Sequence, residues 1–151
     1  SLSLNEIEQA NQFQYLIQGG FVIGGIGDVE ESFYQALMTG GLMEGQDFWS
    51  EVLAEDHPIY SAFFEKISIS PRPFLRPTNP NPSIIPVHYI NRLEGHFIKG
   101  QLVCVNPLMS SRWDDEDELM LAVNVVAYAL TQEGSLAQRL TQDLVAKRDD
   151  Q

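Results

Sequence analysis

The sequence predicts an α/β domain, and two stretches of the chain carry that prediction. The first is residues 21–26, an apolar run punctuated by glycine pairs that opens onto an amphipathic segment. A short, continuous apolar run is typical of a strand that is buried on both faces. The second is residues 113–130, which have the spacing of a helix with one buried face. We therefore expect a central, mainly parallel sheet with residues 21–26 and 101–105 as inner strands and helices on both faces.

The first half of the chain contains two clear helix starts. Ser3 and Glu6 have the spacing of a capping box for a first helix, which the glycine pair at 19–20 ends, because glycine adopts the left-handed conformation without steric cost. Asp28 is a favourable cap for a second helix. Three further segments are predicted in this half: helical pieces at residues 47–53 and 57–67, and a short strand at 66–70.

Prolines dominate the segment that follows. Six of the eight prolines lie between Pro71 and Pro86, which predicts a Pro-rich loop at 71–86 without regular structure. Three strands are predicted after it, at residues 87–90, 93–98 and 101–106. Lys99-Gly100 has the length and composition of a two-residue hairpin turn between the last two strands.

Two helices complete the predicted domain. The long helix is expected to bury one apolar stripe: Leu119, Ala122, Val123, Val126 and Leu130. Ser135 and Gln138 then have the spacing of a capping box for a last helix. We expect this helix to dock through Leu136, Leu140 and Leu144.

Length and charge limit the classes of partner. The 151 residues fit one domain, 1–151, which would bury roughly two thirds of its unfolded surface. Nine basic against 21 acidic residues give a net charge of −12, which argues against nucleic acid and an anionic membrane surface as partners. No apolar run approaches the roughly 20 residues that span a bilayer, so membrane insertion is not expected either.

An ordered set of short motifs resembles a known family. The motifs are Gly19-Gly20-Phe21-Val22, Asp56-His57-Pro58-Ile59-Tyr60, Leu93-Glu94-Gly95 with Lys99-Gly100-Gln101-Leu102-Val103, and Trp113 ahead of residues 121–130. Over residues 12–131 the set resembles a bacterial family of uncharacterised domains, a domain of unknown function whose fold is similar to class I glutamine amidotransferases and flavodoxins. The resemblance implies a three-layer sandwich with a mainly parallel sheet and a bacterial origin, and it leaves the compartment, cytoplasm or periplasm, open. It implies no activity, because none is assigned to that family.

The chain departs from the family's pattern in two respects. Family members place acidic residues directly after the Gly-Gly-Phe strand, whereas the first acid here is Asp28. The family domain also begins further upstream, with strand–helix units that this chain lacks. Either the chain is the C-terminal portion of a longer domain, or its sheet is smaller than the family's. An unpaired strand edge is a template for pairing. The Pro-rich arm, an end helix or a second copy of the chain could cover it, and of these we expect a homodimer.

Three kinds of chemical site are disfavoured by the residues. Cys104, the single cysteine, lies in an apolar strand rather than on an exposed strand-to-helix turn, and is expected to be a small core residue. His57, His88 and His96 have no second metal ligand at helical spacing. We interpret His57 as a helix cap and the other two as surface positions on strands or a hairpin. Glu30 stands where a dinucleotide motif needs its third glycine. Because all three kinds of site are disfavoured, no catalytic residue, metal or cofactor is predicted.

The remaining candidate is a functional edge of the predicted sheet. In open α/β sheets, ligands bind outside the carboxyl ends of the strands. The candidate ligand-binding residues there are Gly24, Gly25, Gly27 and Asp28 after one strand, and Asn106, Ser110, Ser111 and Trp113 after another. Asn124 and Tyr128 on the long helix could face the same edge. The alternative is that Asn124 is buried and joins two elements by hydrogen bonds.

These observations favour a non-enzymatic module that binds a small molecule or a protein, with a degenerate amidotransferase-like fold. The alternative is a hydrolase- or amidase-class enzyme whose remaining site residues lie outside this chain. An exposed Cys104 sulfur beside an imidazole would favour the enzyme.

Overall fold

A mixed four-stranded sheet forms the centre of the protein. The computed structural model describes residues 4–24, 30–74, 88–106 and 114–150. The strands stand in the order β1 (Val22–Ile23), β6 (Gln101–Asn106), β5 (Glu94–Ile98) and β2 (Phe48–Val52). A separate antiparallel pair consists of β3 (Arg72–Phe74) and β4 (His88–Ile90). The helices are α1 (Glu6–Ile17), α2 (Glu30–Thr39), α3 (Glu116–Thr131) and α4 (Leu136–Asp149), with a 3-10 helix at Pro58–Ser61.

The predicted fold class, a mainly parallel three-layer sandwich of the amidotransferase and flavodoxin type, is wrong. Among the described strands, β1 and β6 alone run parallel, with Val22 beside Cys104. The described part of the predicted strand 21–26, residues 21–24, contributes a two-residue strand at one end of the sheet instead of an inner strand, and residues 25–26 lie outside the described residues. Ile23 is accordingly 46% exposed. An apolar run does not by itself distinguish an inner strand from an edge strand with one covered face.

Strands β5 and β6 form the predicted hairpin. Lys99 (φ 48°) and Gly100 (φ 84°) occupy its turn. Two consecutive residues with positive φ are characteristic of the type I′ turn, whose twist matches that of the strands. The strands predicted at 93–98 and 101–106 are confirmed, and β4 lies within the strand predicted at 87–90.

Residues 47–53, predicted as a helical piece, form β2 instead. Phe48, Trp49 and Val52 fit helical spacing as well as they fit a strand, and pairing with β5 decides the outcome. Trp49 stacks on Phe97 across the two strands, with ring centroids 5.6 Å apart and ring planes at 10°. Such aromatic cross-strand pairs stabilise a sheet by about 0.2–1 kcal/mol.

Three predictions between residues 57 and 86 are corrected by the structure. The helical piece predicted at 57–67 is limited to the 3-10 helix, and residues 66–70 form no strand. The strand β3 lies instead inside the predicted Pro-rich loop. A two-stranded pair accepts Pro73 because each of its strands has a free edge. Residues 75–86 of the predicted loop lie outside the described residues.

Two apolar cores lie against the sheet, one on each face. The first core connects β5, β6, the 3-10 helix and α3 through Leu53, Ile59, Tyr60, Leu93, Leu102, Val105, Leu121 and Val125. The second core connects α1 and α2 to the sheet through Leu16, Phe33, Leu37, Phe48, Ile98, Val103 and Cys104. The burial of Cys104, which is 3% exposed, confirms its interpretation as a small core residue.

Helix α3 turns a different face to the core from the one predicted. Its buried residues are Glu118, Leu121, Asn124 and Val125. The predicted stripe is instead largely open to solvent, with Leu119, Val123, Val126 and Leu130 exposed by 50%, 37%, 46% and 56%. The buried face includes the polar residues Glu118 and Asn124, so apolar periodicity alone favours the stripe that the structure exposes.

Helix α4 is held at its start and exposed along its length. Ser135 caps it, and the N–H of Leu136 donates to the carbonyl oxygen of Gly19 at 2.8 Å. Gly19 has φ 91°, and a Cβ there would collide with the backbone of the turn before α4, so this contact requires glycine. The predicted docking through Leu140 and Leu144 is wrong, because these side chains are 56% and 69% exposed.

Helix α1 begins with a capping box two residues later than predicted. Oδ1 of Asn5 accepts hydrogen bonds from the N–H groups of Ile7 and Glu8, both at 3.0 Å. The carboxylate of Glu8 in turn accepts from the N–H of Asn5 at 2.8 Å. The predicted box of Ser3 and Glu6 has the same residue pattern shifted by two positions.

Candidate functional site

Two of the predicted ligand-binding residues lie together at one edge of the sheet. Gly24 follows β1 and donates its N–H to the carbonyl oxygen of Val105 at 3.0 Å, and Asn106 is the last residue of β6. The carboxyl ends of these two parallel strands therefore meet, as the sequence predicts. The other candidates at this edge lie outside the described residues: Gly25, Gly27, Asp28, Ser110, Ser111 and Trp113.

His96 on β5 lies buried behind that edge. It is 2% exposed, and the side-chain amide of Asn106 donates to its Nε2 at 3.1 Å. The hydroxyl of Tyr34 on α2 lies 3.5 Å from Nδ1. Burial lowers the pKa of His96 to about 4, so the ring is neutral at pH 7. The predicted surface position of His96 is wrong.

Cys104 lies directly beside His96 in the β5–β6 register. Both residues are buried, at 3% and 2% exposure. The sulfur lies 3.9 Å from the carbonyl oxygen of Val105. A nucleophilic cysteine needs both an activated thiolate and a path for the substrate. The exposed sulfur that would favour an enzyme is therefore not observed.

Asn124 makes the hydrogen bonds expected of a buried structural residue. It is 0% exposed. Its Oδ1 accepts from the N–H groups of Phe63 and Phe64 at 3.0 and 2.6 Å. Its Nδ2 donates to the carbonyl oxygens of Tyr60 and Phe64, both at 2.8 Å. These four hydrogen bonds use both donors and both acceptor sites of the amide. They join α3 to the 3-10 helix and to the residues that follow it.

Tyr128 lies on the same side of α3, next to the start of the 3-10 helix. Its ring centroid is 5.3 Å from that of His57, with the planes at 59°. Partial burial raises the pKa of the Tyr128 phenol. His57 caps the 3-10 helix, because its Nδ1 accepts from the N–H of Ile59 at 3.2 Å, which confirms the predicted capping role.

His57 also lines a cleft that the sequence does not predict. The cleft, here called the Arg92 cleft, has a volume of about 310 Å³. It lies between the turn after β2, the chain around the 3-10 helix and the turn before β5. Its lining residues are Glu55, Asp56, His57, Tyr60, Ser61, Lys66, Ile67, Ile69, Asn91 and Arg92. These include two basic and two acidic side chains.

Arg92 gives the cleft its clearest unsatisfied group. The Nε atom of Arg92 is buried and has no hydrogen-bond partner in the described part of the chain. Within the same ranges, no ion pair joins Arg92 or Lys66 to Glu55 or Asp56, although all four line the cleft. A buried guanidinium N–H without a partner is unfavourable, and because Nε is closed to solvent, an acceptor from outside the protein reaches it only when the Arg92 side chain moves.

Tyr60 forms the floor of the Arg92 cleft. Its hydroxyl accepts from the N–H of Leu93 at 2.9 Å and donates to the carbonyl oxygen of Leu53 at 3.4 Å. Burial raises the pKa of the Tyr60 phenol, while the Leu93 hydrogen bond and the positive charges of Arg92 and Arg72 oppose that shift. Because both hydrogen bonds are internal, Tyr60 holds the β2 and β5 ends of the cleft together.

Lys66, which lines the cleft, has a strained backbone conformation. Its φ is 58°, in the left-handed region that side-chain-bearing residues rarely occupy. Lys99 has a similar φ of 48°, but there the type I′ hairpin turn requires it. No hairpin explains the conformation of Lys66, and residues in such regions cluster at functional sites.

His57 has a lowered pKa at the other wall of the cleft. Desolvation by burial lowers it, and the negative charges of Asp56 and Glu51 oppose that shift. The ring is therefore predominantly neutral at pH 7. It contributes a polar, uncharged edge beside the acidic turn.

A second concave surface, here called the β1 groove, is apolar. Its volume is about 340 Å³, and it is lined by Tyr15, Gly19, Gly20, Phe21, Ile23, Val126, Ala129, Leu130, Leu136, Ala137 and Leu140. Val126 and Leu130 belong to the stripe of α3 that faces solvent. The hydroxyl of Tyr15 donates to the carbonyl oxygen of Phe21 at 3.0 Å and accepts from its N–H at 3.1 Å.

Comparisons with known proteins add no relative to this description. No protein-family model, no curated protein and no solved structure matches the chain. The resemblance to the bacterial family of uncharacterised domains therefore stays a hypothesis. Within the described ranges, no helix has the length and apolar character needed to cross a bilayer. In the same ranges, no three His, Cys, Asp or Glu side chains come together as a metal site.

Proposed function

We propose that this protein is a non-enzymatic binding module that holds a small polar ligand in the Arg92 cleft. The observation that carries the proposal is the composition of the cleft, where Arg92 and Lys66 stand with Glu55 and Asp56 and form no ion pair with them within the described residues. The unpaired buried Nε of Arg92 costs about 1–3 kcal/mol, and a side-chain movement that brings it to a bound acceptor would remove that cost. Arg92 and Lys66 are two of only nine basic residues in a chain of net charge −12.

The volume of the cleft supports a ligand of metabolite size. At about 310 Å³ it lies at the lower end of the range of small-molecule sites. The wall formed by Ile67 and Ile69 is apolar, and polar groups converge on it from three separate chain segments. An apolar wall with a few placed polar groups is the usual composition of a ligand site. The buried sulfur of Cys104 gives the hydrolase or amidase alternative no support.

Ligand-observed NMR tests the proposal. A set of small organic acids, amino acids, sugars and nucleosides is screened by saturation transfer against the native protein and two variants, Arg92→Met and Arg148→Met. Arg148 is an exposed arginine on α4 that does not line the cleft, so it is the matched control. We expect hits that persist with Arg148→Met and disappear with Arg92→Met. Hits that are equal in all three proteins, or no hits at all, would contradict the proposal.

A second candidate function is self-association through the β1 groove. The N–H of Gly24 pairs with Val105, and in this parallel register the peptide groups of Ile23 point away from β6. The groove beside this edge contains exposed apolar side chains, among them Val126, Leu130 and Leu140. Within the described residues no strand lies beside the outward peptide groups of Ile23, and this short edge next to an apolar surface supports the expected homodimer. The net charge of −12 on each copy opposes it and would be accommodated at the rim.

Sedimentation at micromolar concentration tests the homodimer. Leu140→Glu places a charge in the groove, and Met43→Glu places one on a residue of similar exposure, 54% against 56%, that does not line it. We expect the native chain and Met43→Glu to sediment as dimers and Leu140→Glu to sediment as a monomer of 17.0 kDa. A native chain that is monomeric at this concentration would end this candidate.

A further inference from the structure

We propose that the ligand of the Arg92 cleft is a zwitterion with an apolar side chain, of the class of the aliphatic α-amino acids. The inference rests on the proposed function and adds the chemical class of the ligand. In this arrangement the ligand carboxylate binds at Arg92 and Lys66. Its ammonium group lies at Glu55 and Asp56, and its side chain packs on Ile67 and Ile69.

The basic side chains define the anionic end of the ligand. A guanidinium binds a carboxylate through two parallel N–H donors, and Arg92 lines the cleft. Lys66 adds a second positive charge from another of the chain segments that line the cleft. Together they supply more donors than one neutral acceptor could use.

The acidic side chains define the other end. Glu55 and Asp56 follow β2 and line the same cleft, yet neither forms an ion pair with Arg92 or Lys66 in the part of the chain that the structure describes. A dianionic ligand such as a phosphate ester would be repelled by these two carboxylates. A purely cationic ligand would be repelled by Arg92 and Lys66. A ligand with one charge of each sign has a favourable partner for both.

The apolar wall and the volume define the rest of the molecule. Ile67 and Ile69 are half-buried and pack against the core formed around Leu93 and Val125. They give the cleft a fixed apolar surface, against which each buried methylene contributes about 0.8 kcal/mol in general. A cleft of about 310 Å³ has room for a free amino acid with a branched side chain.

Three probes of matched shape test the inference. L-Leucine carries both charges, 4-methylpentanoate lacks the ammonium group, and 3-methylbutylamine lacks the carboxylate. Each is titrated into ¹⁵N-labelled full-length protein, with Arg92 side-chain and Lys66 backbone signals as readout. We expect saturable shifts with leucine at a Kd at least tenfold lower than with either analogue. Arg92→Gln should remove leucine binding, whereas the double variant Glu55→Gln/Asp56→Asn should reduce leucine affinity to that of 4-methylpentanoate.

The outcomes separate this inference from the proposed function. If 4-methylpentanoate binds as tightly as leucine, or if the double variant leaves leucine affinity unchanged, the zwitterion is ruled out while the cleft remains a ligand site. If none of the three probes binds but another compound of the screen binds in an Arg92-dependent way, the same conclusion holds. If no compound shifts the cleft signals, both the inference and the proposed function fail. Circular dichroism confirms that each variant is folded.

Discussion

The guanidinium of Arg72 and the carboxylate of Glu118 form a two-pronged ion pair in the protein interior. The Nη2–Oε2 distance is 2.7 Å and the Nη1–Oε1 distance is 3.3 Å. The two side chains are 0% and 3% exposed. The pair joins β3 to the first turn of α3, where a negative charge is also favoured by the helix dipole.

Breaking this pair should destabilise the protein strongly. Removing one partner of a buried ion pair is strongly destabilising, in general by about 3–5 kcal/mol. We expect Glu118→Gln to lower the free energy of unfolding by that amount in urea denaturation. Glu116→Gln, at an exposed position of the same helical turn, is the control and should change it by no more than about 0.5 kcal/mol. Equal losses in the free energy of unfolding for the two substitutions would show that the buried pair stabilises the protein no more than an exposed carboxylate does.

Asn124→Ala should also destabilise the fold, because it removes four hydrogen bonds at once. Two N–H groups and two carbonyl oxygens would lose a buried partner, at a combined cost of about 3 kcal/mol or more. Gln132→Ala is the comparison, because among the described residues the side chain of Gln132 makes one hydrogen bond, to the carbonyl oxygen of Leu102 at 2.9 Å. We expect a loss of about 1 kcal/mol for Gln132→Ala in the same urea experiment. A smaller effect for Asn124→Ala than for Gln132→Ala would refute this ranking.

His96 should make stability fall on acidification. Its pKa is about 4 in the folded protein and 6.5 when exposed, so the unfolded chain takes up the proton first as the pH falls. The stabilising contribution is complete above pH 6.5 and is lost between pH 6.5 and pH 4, by roughly 3 kcal/mol in total. Urea unfolding at several pH values should therefore show a steeper fall for the native protein than for His96→Gln. Parallel curves would contradict the expected titration, since the carboxylates titrate in both proteins.

Lys66 and Lys99 should both prefer glycine to alanine. The left-handed conformation costs about 1–2 kcal/mol for a residue with a Cβ, and alanine retains that cost while glycine does not. We expect Lys66→Gly to be more stable than Lys66→Ala by about 1 kcal/mol, and the same order at position 99. Lys66→Gly should also weaken leucine binding, whereas Lys99→Gly, outside the cleft, should not. An alanine variant as stable as the glycine variant at position 66 would mean that the backbone there relaxes.

Local sequence signals predicted the elements that depend on local contacts. The β5–β6 hairpin follows from Lys99-Gly100 and the strands on either side of it, and α3 and α4 begin at the residue types that cap helices. The fold class failed because it depended on which strands lie next to each other. The sequence around residues 21–26 does not indicate that β1 pairs with only one of the described strands. The sequence around Trp49 likewise does not indicate that its ring stacks on Phe97.

The site was predictable in part for the same reason. Gly24 and Asn106 lie at the carboxyl ends of two strands that the sequence predicts to run parallel in one sheet, so their proximity could be predicted. The Arg92 cleft combines three segments that are distant in sequence and carry no motif spacing. The position of His96 did have a signal, since strand alternation places it on the same face as the buried Ile98.

The hydroxyl of Tyr15 occupies the place on β1 where the backbone of a neighbouring strand would bind. It satisfies both peptide groups of Phe21, one as donor and one as acceptor. An incoming strand must therefore displace the Tyr15 side chain before its backbone can pair with Phe21. Pairing there only replaces the two hydrogen bonds that Tyr15 already makes. Growth of an extended intermolecular sheet from this edge is thus opposed at its first step, so the chain can remain dispersed at concentrations where an open edge of the same length would nucleate fibres.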